Sequence, residues 1–341
     1  MNPAQTGARR PRLAVLPGDA AGIGPEVAVK LLAQDGALAR AEVVLVGDRQ
    51  VVAAGERVAG IALALADVKS LAQEDAIAGR INFLDVPLRS GTIPPTGKSS
   101  AEAGQAALDG LRLAAEASRR GDVDGIVFAP LNKHSMRLGG LEHEDEMRYL
   151  QTLLGVDGFV TEFNITDGLW TSRVTSHIPL RDVAAAITID GVCAAVRILD
   201  DNLRAAGVDA PRIGVAGLNP HAGDGGNYGD EEIRLIAPAV ALMREEGRNV
   251  AGPFPADTVF VAARRGDFDA VVSMYHDQGQ IAMKLMGFDR GVTLLGGLPI
   301  PVTTCASGSA FDIAGKGIAN FGGLQQAFEI AARMAARVPA Q

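Results

Sequence analysis

Short apolar segments ended by turn-forming residues recur through this chain, and they alternate with alanine-rich stretches of helical length. We predict strands at residues 13–16, 43–46, 125–129, 170–175, 212–216 and 270–273. We predict helices at residues 23–32, 101–118, 183–202 and 230–246. Continuous apolar strands that alternate with helices are typical of strands buried on both faces, so this order predicts an open, mostly parallel α/β sheet.

Chain length and composition indicate how many lobes this sheet belongs to. The 341 residues are enough for two α/β lobes, each with its own core. Hydrophobic residues make up 48% of the chain but aromatic residues only 4%, so Ala, Val, Leu and Ile must fill the core. We therefore predict a two-lobed α/β/α protein with a central cleft. Residues 1–135 plus 300–341 form the first lobe in this prediction, and residues 136–299 form the second.

Charge and residue usage exclude several classes of protein. The formal net charge is −8, and Lys and Arg are dispersed rather than gathered in the basic stripe that nucleic-acid binding requires. No apolar run approaches the roughly 20 residues that span a bilayer, and no hydrophobic signal segment follows residues 1–12, so we expect a cytoplasmic protein. Cys193 and Cys305 lie far apart, which argues against a disulfide framework or a cysteine-rich zinc site.

Three of the five histidines directly follow predicted strands. They are His177, His221 and His276. Ligands of open α/β sheets bind beyond the carboxyl ends of the strands, where three imidazoles could share one divalent metal and leave positions open for a substrate. The alternative is that each is an ordinary surface or core histidine. We interpret the other two, His134 and His143, as surface residues.

Lys284 follows His276 by eight residues, after the sequence MYHDQG at residues 274–279. A lysine in a cleft beside a metal can hydrogen-bond a hydroxyl or carbonyl oxygen and pass a proton. Lys284 is therefore a candidate catalytic residue. The alternative is a solvated lysine on a helix face.

Two glycine-rich loops also follow predicted strands. They read GDAAGIGPE at residues 18–26 and HAGDGG at residues 221–226. Glycine lets backbone amides approach a ligand closely, and a helix N-terminus favours anions. Neither loop matches the GxGxxG dinucleotide fingerprint, so a tight turn that packs a helix on a strand explains them at least as well.

Five spaced motifs together resemble the 4-hydroxythreonine-4-phosphate dehydrogenase family, and the resemblance extends from Leu13 to about Ala331. The family sequences GDPAGIGPE, LNPHAGEGG, PADT, MYHDQG and GFGRGV are similar to residues 18–26, 218–226, 255–258, 274–279 and 287–292. Ala20 stands where the family has a proline, and Asp224 where it has a glutamate.

The resemblance implies a metal site and a homodimer with shared active sites. His177, His221 and His276 match the family's metal ligands, with the third supplied across the dimer interface. Zinc suits such a site best, and cobalt, manganese or magnesium can occupy it. Lys284 matches a substrate-contacting lysine, and Asp257 of the PADT motif is a second catalytic candidate that could equally cap a helix.

The resemblance also implies a fold and a cofactor. The family fold is similar to that of isocitrate and isopropylmalate dehydrogenases. Residues 308–320 resemble the cofactor loop of those decarboxylating enzymes, which implies that NAD or NADP lies against this segment. The candidate cofactor-binding residues are Gly308, Ser309, Ala310, Asp312, Ile313 and Asn320.

The substrate-binding positions depart from the family pattern. Glu146 and Met147 lie in the region where the family has a Gly-His-Thr-Glu loop. Thr293 aligns with a substrate-binding asparagine, and Val302 with a substrate-binding arginine. An apolar valine cannot replace an arginine that holds an anionic group through two hydrogen bonds.

These departures favour an aromatic cis-dihydrodiol carboxylate of the terephthalate type as the substrate. The alternative is 4-hydroxythreonine-4-phosphate or a related 4-phosphorylated hydroxy acid. In both cases we expect metal-dependent oxidation of a hydroxyl group by NAD(P), followed by release of CO2. Two other classes stay open, namely a phosphate acyltransferase of similar fold and a non-catalytic protein that binds a small molecule.

Overall fold

A computed structural model of the chain describes residues 10–72, 77–287 and 290–337. Two sequence features extend outside these residues: the start of the N-terminal segment, and Phe288 and Asp289 of the motif at residues 287–292. The chain divides into two units, Met1–Asp157 with Leu298–Gln341 and Gly158–Gly297. Within the described parts of the chain, no helix combines the length and apolarity needed to cross a membrane.

The first unit contains a sheet whose strands all run parallel. In chain order these strands are β1 (Arg12–Leu16), β2 (Glu42–Gly47), β3 (Leu65–Asp67), β4 (Ile81–Asp85), β5 (Gly125–Phe128) and β12 (Val302–Cys305). Across the sheet the order is β3-β4-β2-β1-β5-β12, and each neighbouring pair is parallel. The mostly parallel sheet predicted from the apolar segments is thus confirmed.

Helices pack around this sheet and complete an aliphatic core. They are α1 (Gly24–Leu32), α2 (Asp35–Arg40), α3 (Arg49–Ala59), α4 (Ala101–Arg119), α5 (Lys133–Leu138), α6 (Glu146–Leu154) and α12 (Gly322–Ala335). Asp48 caps α3, and Ser100 caps α4 by accepting from the N–H of Ala103. Leu13, Val43 and other strand residues are fully buried, in keeping with a core of Ala, Val, Leu and Ile.

The first unit extends further along the chain than the sequence suggested, to residue 157 rather than residue 135. The reason is that α6 packs against α4. The Tyr149 hydroxyl donates to the carbonyl oxygen of Leu108 at 3.4 Å, and the Arg119 side chain donates to that of Leu153 at 3.4 Å.

The second unit contains a mixed sheet. Its strands are β6 (Thr161–Thr166), β7 (Leu169–Arg173), β8 (Ile213–Ala216), β9 (Val250–Phe254), β10 (Ala270–Ser273) and β11 (Val292–Gly296). Their order is β11-β6-β7-β10-β8-β9. β6 pairs antiparallel with both β11 and β7, whereas β7, β10, β8 and β9 run parallel. The carboxyl ends of β7, β10 and β8 therefore lie side by side at one edge of this sheet.

The helices of the second unit differ in detail from the predicted ones. They are α7 (Val183–Ala186), α8 (Ile189–Ala205), α9 (Ala237–Glu245), α10 (Ala256–Arg264) and α11 (His276–Gly287). The helix predicted at residues 183–202 is interrupted because Thr188 adopts an extended conformation and caps α8. The helix predicted at residues 230–246 begins with a π-helical turn, Glu232–Ile236, which precedes α9.

Candidate functional site

The three histidines singled out as metal ligands all belong to one edge of the second unit's sheet. His177 follows β7, His221 follows β8, and His276 begins α11 directly after β10. Since these strands are parallel neighbours, the loops after them lie next to one another. The carboxyl edge of such a sheet is the usual place for a ligand site.

His177 and His276 form a pair. Their ring centroids lie 5.6 Å apart. Because metal–nitrogen bonds in zinc sites are about 2 Å long, two imidazoles at this separation can bind one ion between them. The carboxylate of Asp277 lies 2.7 Å from Nδ1 of His276, a contact that orients the ring and leaves Nε2 for a ligand.

His221 does not complete this pair within one chain. Its ring lies beside that of Tyr228, with centroids 6.0 Å apart. Among the described residues of a single chain, no three side chains of His, Cys, Asp or Glu form a group that could hold a metal ion. The structure therefore brings together two of the three histidines.

Backbone pairing fixes the segment that leads from β7 to His177. The N–H of Val174 donates to the carbonyl oxygen of Ser273 at 2.9 Å, and that of Thr175 to Met274 at 3.1 Å. This segment therefore continues along β10 beyond the end of the strand, which brings His177 next to the start of α11.

A buried arginine stabilises the same corner of the second unit. Arg173 ends β7 and is only 6% exposed. Its guanidinium donates to Ser176 Oγ at 2.9 Å, to Asn164 Oδ1 at 2.9 Å and to Glu162 Oε2 at 2.8 Å. Because Ser176 directly precedes His177, this network holds the His177 loop against β6. This network was not predicted from the sequence, although a charged residue inside a predicted apolar strand was the available signal.

The network also reaches α11 and the predicted substrate position on β11. Gln280, one turn after His276, donates its side-chain amide to Asn164 Oδ1. Thr293 lies opposite Asn164 across the β6–β11 pair, so its side chain lies on the same face of the sheet. Thr293 is thus close to the network that connects the two histidine segments.

The two catalytic candidates also lie in the second unit. Lys284 is exposed on α11, and its position follows those of His276 and Gln280 at four-residue intervals, which places the three on one side of the helix. Asp257 is exposed in the first turn of α10.

In the first unit, the segment at residues 308–320 packs against the glycine-rich loop of residues 18–26. The N–H of Ile23 donates to the carbonyl oxygen of Ser309 at 3.0 Å. Gly22 approaches Ser309 so closely that a Cβ atom at Gly22 would lie 2.7 Å from that oxygen. Ser309 is buried, and its Oγ has no hydrogen-bond partner in the described structure. The two loops thus form a narrow polar cradle.

The far end of this segment is held by an ion pair that the sequence analysis did not identify. Lys30 Nζ lies 2.7 Å from Glu26 Oε1 and donates to the carbonyl oxygens of Gly317 at 3.0 Å and Ala319 at 2.9 Å. The same Glu26 oxygen accepts from the N–H of Ala319 at 2.8 Å. Helix α1 therefore anchors the segment.

The candidate cofactor-binding residues differ in exposure. Gly308, Asp312 and Asn320 are exposed, whereas Ala310 and Ile313 are partly buried and pack against the core of the first unit. Ala310 adopts a left-handed backbone conformation, with φ of 42°. A ligand on this segment would meet the polar side chains of Asp312 and Asn320 first.

The glycine-rich loop itself is a tight, internally bonded turn. Asp19 is 1% exposed, and burial raises the pKa of its carboxyl group above the usual value. Asp19 Oδ1 accepts from the N–H of Ala21 at 2.8 Å, and Oδ2 from the Ser135 hydroxyl at 3.3 Å. These contacts favour the structural interpretation of residues 18–26 as a turn, which shapes the cradle from one side.

Three predicted substrate-binding positions lie in the first unit. Val302 is 0% exposed in β12, because this parallel strand is buried on both faces, so its side chain belongs to the core rather than to a surface. Glu146 is partly buried and Met147 is buried, at the start of α6. Asp145 caps that helix by accepting from the N–H of Arg148 at 2.9 Å. Asp145 and Glu146 thus form the start of α6.

Of the remaining histidines, His134 is exposed on α5. His143 is partly exposed, with Nε2 3.1 Å from Thr152 Oγ1 and its ring centroid 5.5 Å from that of Tyr149. Both belong to the first unit and are surface residues, as interpreted from the sequence.

Comparison with known proteins places this chain in a family. Residues 39–331 match the family model described as pyridoxal phosphate biosynthetic protein PdxA. A Pseudomonas aeruginosa protein named "Putative 4-hydroxythreonine-4-phosphate dehydrogenase 2" is 49% identical over 95% of this chain and 97% of its own length. D-threonate 4-phosphate dehydrogenase of Cupriavidus necator is 40% identical over 96% of this chain and 98% of its own length.

Solved structures agree with these matches. A 4-hydroxythreonine-4-phosphate dehydrogenase from Klebsiella pneumoniae has a TM-score of 0.83 and 38% identity, over 97% of this chain and all of that one. A terephthalate 1,2-cis-dihydrodiol dehydrogenase from Burkholderia xenovorans LB400 has a TM-score of 0.65 and 30% identity, over 93% and 96% of the two chains. A β-decarboxylating dehydrogenase from Thermococcus kodakarensis, at 18% identity and a TM-score of 0.50, shares the fold.

The family match covers most of the chain, and relatives that are 40–49% identical to it are named as dehydrogenases and match over nearly their whole length. These findings favour a dehydrogenase over the phosphate acyltransferase and the non-catalytic binding protein that the sequence left open. The chain therefore belongs to the pyridoxal phosphate biosynthetic protein PdxA family and is a dehydrogenase that acts on a CH–OH group.

Proposed function

We propose that this dehydrogenase oxidises a 4-phosphorylated hydroxy acid of the 4-hydroxythreonine-4-phosphate or D-threonate 4-phosphate type, with NAD or NADP and one divalent metal ion, and that CO2 is then released. The observation that carries the proposal is the pair formed by His177 and His276, with ring centroids 5.6 Å apart at adjacent strand ends. Relatives named for phosphorylated substrates reach 40–49% identity, against 30% for the dihydrodiol dehydrogenase.

The donor set supports a metal in this site. Imidazole nitrogens suit zinc first, and cobalt, manganese and magnesium are alternatives. Because His221 stands apart from His177 and His276 within one chain, we propose that a second copy of the chain completes the ligand set in a homodimer with shared active sites. When bound, the metal would lower the pKa of the substrate hydroxyl and NAD(P)+ would accept a hydride.

Residues of α11 have the chemistry for substrate binding and proton transfer. In this proposal Lys284 Nζ takes the proton of the substrate hydroxyl, directly or through a water molecule that it orients. Its side of the helix is shared with His276, so both groups can face the same substrate. Asp277 holds the His276 ring through Nδ1, and the exposed Asp257 is a second candidate for the site.

The cradle between Gly22 and Ser309 supports binding of the nicotinamide cofactor in the first unit. The unpartnered Ser309 Oγ offers a hydrogen bond to a ligand in this cradle. The exposed carboxylate of Asp312 and amide of Asn320 are suitable partners for ribose hydroxyl groups. Gly308, Ala310 and Ile313 complete the proposed cofactor-binding set.

An aromatic cis-dihydrodiol carboxylate is the second candidate substrate. Two observations favour it: the similarity to the terephthalate dihydrodiol dehydrogenase over 93% of the chain, and the presence of Thr293 where the family has a substrate-binding asparagine. The lower identity of that enzyme places this candidate behind the phosphorylated acids.

The substrate class is tested by NAD(P)H formation with two panels of compounds. One contains 4-hydroxythreonine-4-phosphate and D-threonate 4-phosphate, and the other contains cis-dihydrodiols of aromatic carboxylates. We expect kcat/KM to be at least about tenfold higher for a member of the first panel, which corresponds to about 1.4 kcal/mol. Turnover of the dihydrodiols alone would overturn the proposed substrate class, and release of CO2 in the same assay tests the decarboxylation.

A further inference from the structure

The loop that carries His221 has an unusual backbone. Five successive residues adopt left-handed conformations, with φ values of 53°, 53°, 82°, 44° and 66° from His221 to Gly225. Three of these residues, His221, Ala222 and Asp224, have side chains. Such residues rarely adopt this conformation, and it persists only where the surrounding structure holds it in place.

Glu232 is the residue that holds this loop. It begins the π-helical turn Glu232–Ile236 and is 3% exposed. Its Oε1 accepts the backbone N–H groups of Leu218 at 2.7 Å and Asn219 at 2.8 Å. Its Oε2 accepts from the side-chain amide of Asn219 at 2.9 Å. One carboxylate thus fixes the entry to the loop through three hydrogen bonds.

Two glycines of the loop also pack closely against this carboxylate. A Cβ atom at Gly223 would lie 2.7 Å from Glu232 Oε2, and one at Gly217 would lie 3.0 Å from Oε1. The first of these glycines stands two residues after His221. The carboxylate therefore occupies the interior of the loop, between the end of β8 and the left-handed residues.

The hydrogen bonds of the Glu232 carboxylate indicate a role beyond filling space in the loop. In the described part of the chain its hydrogen-bond donors are amide groups of the loop, and no lysine or arginine forms an ion pair with it. A buried carboxylate without a cation is costly unless hydrogen bonds offset its loss of water. Here every hydrogen bond that offsets this loss comes from the segment that leads to His221.

We propose that Glu232 is a positioning residue for His221: it holds the loop in its left-handed conformation and so fixes the direction of the imidazole as a metal ligand. This inference rests on the proposed metal site. Glu232 acts through the loop and touches neither substrate nor metal. Partners that orient a metal ligand commonly change metal affinity by about 10- to 100-fold when they are removed.

The test uses the full chain with the substitution Glu232→Gln, and Glu245→Gln as the matched control on an exposed site of α9. The new amide nitrogen would place a donor against the donors of the loop. Amide hydrogen exchange over residues 217–229 measures how stably the loop is held. Titration with Co2+, followed by absorption spectroscopy, measures the metal affinity of the site. We expect faster exchange in this segment alone and about 10- to 100-fold weaker Co2+ binding, with both quantities unchanged in Glu245→Gln.

A second pair of variants distinguishes a positioning role of Glu232 from an effect on the overall stability of the protein. In His221→Ala, the added Glu232→Gln substitution should change Co2+ affinity by less than about twofold, because Glu232 acts through His221. If Glu232→Gln does not fold, Glu232→Asp, whose side chain is too short for all three hydrogen bonds, is measured in the same way. Unchanged exchange or unchanged Co2+ affinity in the folded variant would overturn the inference. Failure of the unmodified chain to bind Co2+ would instead overturn the proposed metal site.

Discussion

The imidazole rings of His177 and His276 lie 5.6 Å apart, centroid to centroid, with their planes inclined by 44°. This pair joins the loop after β7 to the first residue of α11, and the account of the site depends on it. We predict that His177→Ala lowers kcat/KM by more than about 100-fold and weakens binding of Co2+, because a single imidazole of the pair is left. Steady-state kinetics and metal titration check this.

The control for that prediction is His143→Ala in the first unit. His143 contacts Thr152, and its ring is tilted by 60° against that of Tyr149. It belongs to the first unit, whereas the residues of the proposed metal site belong to the second. Its removal should leave both kcat/KM and Co2+ affinity within about twofold of the unmodified values. Equal losses in the two variants would mean that the histidine pair has no special role.

Lys284→Ala should reduce kcat by about 10²- to 10⁴-fold, the usual contribution of a positioned acid–base group. Lys284→Arg keeps the charge but transfers protons poorly, so it should recover substrate binding and not kcat. Lys69→Ala removes an exposed lysine of the first unit and serves as the control. A kcat that stays within about threefold of the unmodified value in Lys284→Ala would assign proton transfer to another group.

Gly22→Ala tests the cradle for the cofactor. The added Cβ would lie 2.7 Å from the carbonyl oxygen of Ser309 and 2.8 Å from its Cβ, so the segment at residues 308–320 must shift. We expect KM for NAD(P) to rise by about tenfold or more while Co2+ affinity stays constant. Gly36→Ala is the matched control, since a Cβ at that position would meet no atom of the described residues within 4 Å apart from those of its chain neighbours and its own helix backbone. An unchanged KM in Gly22→Ala would place the cofactor elsewhere.

Arg173→Leu tests the buried network beneath the His177 loop. The substitution leaves the mostly buried Glu162 without its cation, which should lower the free energy of unfolding by roughly 3 kcal/mol. Urea unfolding monitored by circular dichroism measures the change. The double substitution Arg173→Leu with Glu162→Leu should recover most of it, because no buried charge is then unpaired. A loss below about 1 kcal/mol, typical of exposed ion pairs, would contradict the structural role given to Arg173.

Six strands could be predicted from the sequence, namely β1, β2, β5, β7, β8 and β10, and nearly all of their residues are buried. The segment predicted at residues 270–273 coincides with β10, and that at residues 13–16 lies within β1. The strands β3, β4, β6, β9, β11 and β12 were not identified. In β6, one face carries polar residues, Glu162 and Asn164, that hydrogen-bond to Arg173 of the neighbouring strand β7. This alternation of polar and apolar residues can be assigned to a strand only when the neighbouring strand is known.

The site could be predicted in part. The positions of the histidines after predicted strands placed them at one sheet edge, where the structure also has them, because strand direction and strand ends are local properties of the chain. The roles of Arg173, Glu232 and Lys30 were not predicted. Lys30 donates to a carbonyl oxygen 287 residues away, whereas the partners of Arg173 and Glu232 are close in sequence but meet them only through the turns between them. The interior position of Val302 follows from pairing between β12 and β5, which also depends on distant residues.

The site proposed at His177 and His276 requires a bound metal ion for dehydrogenation. The most direct measurement is NAD(P)H formation from D-threonate 4-phosphate before chelation, after chelation and after addition of Zn2+, Co2+ or Mn2+ to the same sample. The rate should fall to background with the chelator and return with at least one of these ions. A rate that the chelator leaves unchanged would mean that the reaction needs no bound metal ion.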